Sequence, residues 1–169
     1  MPLKSNATAD EKTSPFYLKN EELCREWENY ITEKNGQLKG VYNASSFHIE
    51  GRIETTNTWS IEVKKATFSS GNLLLSSKYQ NLQEILTLST KISNTTSGNF
   101  RICKSIFKRK SQKHPLYKKV NDLFIADLDS GELYEIVFKK QQLTFTYHHC
   151  NERFDIVNKI INLDLNSEA

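Results

Sequence analysis

No apolar stretch in this sequence approaches the ~18–20 residues needed to cross a bilayer. The start, Met1-Pro2-Leu3-Lys4-Ser5-Asn6, lacks the apolar core of a secretory signal. A soluble cytoplasmic protein without a transmembrane segment is therefore expected. Cysteine is scarce: Cys24, Cys103 and Cys150 are odd in number, far apart and free of any CxxC pair. That excludes a disulfide framework and a zinc ribbon, and leaves reduced thiols as the simplest reading. Glycine (6) and proline (3) are too sparse for collagen-like, repeat-rich or disordered classes. A Gly-rich phosphate loop, GxSxG, HExxH and an EF-hand loop are all missing, and no repeat of fixed period is visible. No catalytic residue, cofactor or metal is assigned on these grounds. Asn6-Ala7-Thr8, Asn43-Ala44-Ser45 and Asn94-Thr95-Thr96 match the glycosylation pattern. Without a signal they read as chance matches in an Asn- and Thr-rich chain.

Aromatic residues are plentiful, with nine Phe, seven Tyr and two Trp in 169 residues. Each buried ring removes about 150–250 Å² from water, so a few of them carry a core although only 37% of residues are apolar. A chain of this length buries roughly 70% of its unfolded surface and needs no metal or disulfide for stability. The expected organisation is a flexible polar tail over 1–14, one α+β domain over 15–165, and a short tail over 166–169.

Two periodicities define that domain. Leu23, Trp27, Tyr30 and Ile31 form one apolar stripe, which predicts a helix over 20–34 with Asn20 as N-cap. Asn35-Gly36 ends it, with Gly36 expected in the left-handed conformation. The period then falls to 2. Phe47, Ile49, Gly51 and Ile53 alternate with polar residues, as do Trp59, Ile61 and Val63, which predicts a hairpin with one wet face. Further strands are expected at 73–75, 85–92, 100–106, 123–126, 133–139 and 143–149, with Asp127-Leu128-Asp129-Ser130-Gly131 as a turn. A closing helix over 151–163 presents Phe154, Val157, Ile160 and Ile161. The fold class is an antiparallel meander sheet of about seven strands, open or curved into a half-barrel, with an N-terminal and a C-terminal helix packed on it.

Charge is distributed unevenly. Residues 101–121 contain Arg101, Lys104, Lys108, Arg109, Lys110, Lys113, Lys118 and Lys119 with no Asp or Glu, a charge of +8. The whole chain is +3, so the remainder carries −5. Ile106, Phe107, Leu116 and Tyr117 are interleaved with these cations. Such a stretch suits nucleic acid, an anionic membrane surface or an acidic protein. It equally suits a solvated loop whose lysine stems cover apolar neighbours and guard a strand edge.

Other arrangements have plainer explanations. On a strand, His148 and Cys150 share a face and His149 points away, but a zinc site needs three or four ligands. After Asp127 and Asp129 the glycine and distal glutamate are not at the spacing of a calcium loop. Three functions fit what is present. The favoured one is a non-enzymatic interaction or scaffold module that binds another macromolecule, including an anionic partner at 101–121. The alternatives are a small-ligand or lipid carrier with an apolar cavity under a curved sheet, and an enzyme of unrecognised type using His148 or Cys150. A protein partner or a second copy of the chain is expected, because an open sheet leaves an edge or a face to cover.

Overall fold

The computed structural model describes residues 3–66, 83–93, 98–104, 113–148 and 152–166. The elements follow as β1 (Leu3–Ser5), a 3-10 turn (Glu11–Thr13), α1 (Pro15–Glu33), β2 (Gln37–Tyr42), β3 (Phe47–Glu54), β4 (Thr58–Ala66), β5 (Gln83–Lys91), β6 (Phe100–Cys103), α2 (Pro115–Ser130), β7 (Leu133–Lys139), β8 (Gln142–His148) and α3 (Arg153–Ile161). The class is α+β. The eight strands form a mixed, mostly antiparallel sheet that does not close, in the order β1-β2-β3-β4-β5-β8-β7-β6. The chain divides into two compact units, one of Met1–Glu54 with Ser60–Leu86, the other of Thr55–Trp59 with Thr87–Ala169.

In the first unit, α1 begins earlier than its apolar stripe announces. Ser14 is the N-cap, its Oγ accepting the Phe16 N–H at 3.2 Å, and Pro15 occupies the first helical position. Proline is suited to that position because its missing N–H would have no partner there. Asn20, expected to cap the helix, lies inside it and is only 1% exposed. At the other end Asn35 takes the left-handed conformation expected of Gly36, with φ 55°. Gly36 is required for a different reason. A Cβ there would lie 2.6 Å from the Arg52 carbonyl and 2.8 Å from Ile31 Cγ2.

The helix packs on β2 and β3, burying Trp27 and Ile31 with Ile49, Ile53, Ile61 and Val63 in the core. The alternation read for β3 and β4 is present, with Phe47, Ile49 and Ile53 buried and His48, Glu50 and Arg52 on the wet side. Residues 37–42, which carry only weak alternation, form β2 and pair with β3 from Gln37↔Arg52 to Tyr42↔Phe47. The stretch read as a polar tail supplies β1, which pairs in parallel with β2 from Leu3↔Gly40 to Ser5↔Tyr42. Three residues are too few to show a period, so pairing partners rather than local pattern make this strand.

In the second unit the expectation of a strand at 123–126 followed by a turn is overturned. Residues 115–130 form the helix α2, with Tyr117, Val120, Phe124 and Leu128 buried on one side. Leu123 and Ile125 are 45% and 43% exposed, so the apolar run Leu123-Phe124-Ile125 belongs to a helix rather than to a two-sided strand. Only Gly131 of the predicted turn behaves as expected, ending α2 with φ 84°. The meander is correspondingly interrupted. β6, β7 and β8 are antiparallel neighbours, but β5 lies beside β8 rather than β6. α2 packs on β6 and β7, and Trp59, Phe124, Phe138, Phe145 and Tyr147 are almost wholly buried in this unit. The predicted strand at 73–75 lies outside the described residues.

Candidate functional site

The basic stretch starts on β6, where alternation sets inward Phe100 and Ile102 against outward Arg101. Arg101 is not available as a free cation. Its Nε donates to Glu135 Oε2 on β7 at 2.6 Å. Partial burial alone would lower the pKa of this guanidinium, but the adjacent Glu135 carboxylate outweighs it and raises the pKa. Lys104 follows the strand and is exposed; Lys108, Arg109 and Lys110 lie outside the described residues.

The chain returns at Lys113 and enters α2 through His114-Pro115. His114 is the N-cap: its Nδ1 accepts the Leu116 N–H at 3.2 Å, and Pro115 fills the first helical position. The imidazole is 7% exposed and packs 5.2 Å from the Phe100 ring and 4.9 Å from Phe138. Phe100 also meets Tyr117 edge-on at 5.6 Å. This aromatic group pins the first residue of β6 to the first turn of α2, the two anchors between which the basic stretch runs. Lys113 and Lys118 are exposed. Lys119 is half-buried, its Nζ donating to the Asp164 carbonyl after α3.

The eight predicted cations thus separate by environment. Arg101 and Lys119 are paired with groups of the fold. Lys104, Lys113 and Lys118 are exposed without an ion-pair partner among the described residues. The sequence pattern could not reveal Glu135 as a partner, because that pairing depends on the β6–β7 register, in which Cys103 faces Glu135 and Arg101 faces Val137. The His114 cap was legible in principle as a polar residue before proline at the head of an apolar stripe.

Other clusters offer less. Of the ligands considered for a metal, His149 and Cys150 lie outside the described residues. His148 is buried with its ring 4.7 Å from Tyr134 at a right angle, and its backbone N–H donates to the Glu132 carbonyl. The described residues contain no group of three or more His, Cys, Asp or Glu side chains able to hold a metal. Asp127 holds the second unit together: its Oδ2 accepts from Tyr147 Oη and Lys159 Nζ, each at 3.3 Å.

In the first unit, Asn20 Nδ2 donates to the Asn43 and Ala44 carbonyls while its Oδ1 accepts from Lys65 at 2.8 Å. Cys24 nearby is 1% exposed, and burial, with Glu84 adding to it, pushes its thiol up to about 12. A thiol held that high is not a nucleophile at neutral pH. His48 Nε2 lies 2.9 Å from Glu62 Oε1 and 3.8 Å from Glu50 Oε1 on the wet face, beside Lys39 and Lys64. The hydrogen bond from Lys39 holds the Glu50 carboxyl below its ordinary pKa.

Comparison with protein-family models, curated proteins and solved structures finds no match for this chain. No helix among the described residues is long and apolar enough to cross a membrane.

Proposed function

We propose that this protein is a non-enzymatic interaction module that binds an anionic macromolecule through the stretch 101–121. The observation that supports this reading is the uneven use of its cations. Two are satisfied within the fold, while Lys104, Lys113 and Lys118 stand exposed at both ends of the stretch. Lysines exposed in this way are open to an anionic partner, and half-exposed surface pairs contribute little to stability in any case. The aromatic clamp of Phe100, His114 and Tyr117 supplies the complementary requirement of fixed anchors from which the charges project.

The test uses three probes: a short single-stranded DNA, vesicles rich in phosphatidylserine, and polyglutamate. One of them is expected to bind, with affinity falling about tenfold as salt rises from about 50 to about 200 mM. Lys104→Glu, Lys113→Glu and Lys118→Glu together are expected to weaken that binding at least about tenfold. Failure of all three probes to bind at low salt would dispose of the reading.

A further inference from the structure

We infer that Asn35-Gly36 is a site of spontaneous backbone modification, passing through a succinimide to isoaspartate, and that the folded end of α1 holds the reaction back. The two residues close the helix as a Schellman motif. Asn35 N–H donates to the Thr32 carbonyl at 2.9 Å, and Gly36 N–H donates to the Ile31 carbonyl at 2.8 Å. The fold restricts both positions. Residue 35 takes left-handed backbone, φ 55°, which Gly, Asn and Asp accept most readily. Residue 36 has no space for a Cβ, which would lie 2.6 Å from the Arg52 carbonyl and 2.8 Å from Ile31 Cγ2. The junction therefore calls for Gly, Asn or Asp followed by Gly, and the chain carries the amide.

That dipeptide is open to attack by its own backbone. The Gly36 amide nitrogen, after losing its proton to hydroxide, bonds to Asn35 Cγ. The Cγ–Nδ2 bond breaks, and the nitrogen leaves as ammonia after taking a proton from water. Water then opens the ring. Cleavage between the nitrogen and Cγ gives aspartate. Cleavage between the nitrogen and the Asn35 carbonyl carbon gives isoaspartate, with the main chain rerouted through Cγ. Glycine at the second position helps, because no side chain crowds the nitrogen. Asn35 is exposed, so water and hydroxide reach it. The nitrogen is the protected partner: its N–H is held by the carbonyl of Ile31, a residue 0% exposed. Reaction thus requires the last turn of α1 to open. The product cannot close again in the same way. Only Lys34, Asn35 and Gly36 link the end of α1 to Gln37, which pairs directly with Arg52. Isoaspartate lengthens that link by one backbone carbon, and its carboxylate sits at the negative end of the helix dipole.

The experiment incubates the full chain at mildly alkaline pH, both folded and in urea that unfolds it. Conversion is read from the mass of the tryptic fragment Asn35–Lys39. Isoaspartate itself is read from methyl acceptance in the presence of an isoaspartate carboxyl methyltransferase. The unfolded chain is expected to convert at least about tenfold faster than the folded one. Equal rates would overturn protection by the end of α1. Asn35→Gly suits the left-handed position, and is expected to fold and to lose most of the methyl acceptance of the intact chain. Undiminished acceptance in that variant would overturn the assignment to Asn35. Converted protein, separated by its added negative charge, is expected to exchange the Gln37 and Leu38 amides faster than unconverted protein. Identical exchange would show that the junction closes around isoaspartate, and would overturn that consequence.

Discussion

Single side chains do much of the joining in this protein, and Asn43 is the clearest case. Its Oδ1 accepts from the backbone N–H groups of Ser45 and Ser46, each at 2.9 Å, and its Nδ2 donates to Asn6 Oδ1 at 3.1 Å. The residue that matched a glycosylation pattern is thus the organiser of the β2–β3 turn. Asn43→Ala is expected to cost about 1–2 kcal/mol, read as a lowered urea midpoint with unchanged slope. Cys24 makes a second prediction. Its thiol stands near 12 when folded, against an ordinary value of 9.0. Below pH 9 both states hold the proton, so nothing is lost. Above it the unfolded chain gives up the proton first, and stability falls as pH rises toward 12. Cys24→Ser is expected to flatten that alkaline decline, and the native thiol should resist iodoacetamide at pH 8. Nothing in the residues around Cys24 along the chain announces this environment. Glu84, the second cause of the shift, is sixty positions away.

At the level of elements, the sequence was legible where one periodicity dominated and misleading where two competed. Residues 47–54 alternate and form β3 over that span. In α2, Leu123-Phe124-Ile125-Ala126 looked like a strand because the apolar run hides the longer spacing of Tyr117, Val120, Phe124 and Leu128. Its start depends on His114. His114→Ala loses both the cap acceptor and the packing on Phe100 and Phe138, and is expected to cost about 2–4 kcal/mol. His114→Asn keeps an acceptor and should recover about 1 kcal/mol of that in thermal unfolding. The β7–β8 hairpin lies within a residue of its expected span, but Gln142 joins the strand, and the shorter turn carries hidden strain. Lys140 and Gln141 both adopt left-handed backbone, with φ 51° and 61°, as a two-residue turn between Lys139↔Gln142 demands. Glycine has no Cβ to oppose that conformation. Gln141→Gly is therefore expected to stabilise the protein by about 1 kcal/mol, seen as a raised melting temperature.

Across the whole molecule, composition located the unusual charge but not its use. Runs of Lys and Arg are visible in any linear reading, whereas the ion pair that retires Arg101 and the carbonyl that takes Lys119 exist only after folding. The order of strands was equally hidden, since neighbours such as β5 and β8 are separated by half the second unit. The least legible element was the shortest. β1 is held by Leu3, 4% exposed, by the Asn6 N–H on the Tyr42 carbonyl at 3.0 Å, and by Tyr17 Oη on Ser5 Oγ at 3.0 Å. It lies along the outer side of β2, whose Val41 is already 44% exposed. Trimming a chain to its first helix is a common way to improve a protein preparation, and here it would do harm. Deleting residues 1–6 strips the cover from β2 and offers its unpaired backbone to the next molecule. The shortened protein is expected to form concentration-dependent aggregates by light scattering, with the intact chain remaining dispersed under the same conditions. Leu3, Lys4 and Ser5, which resemble packaging, are the lid on a self-adhesive seam.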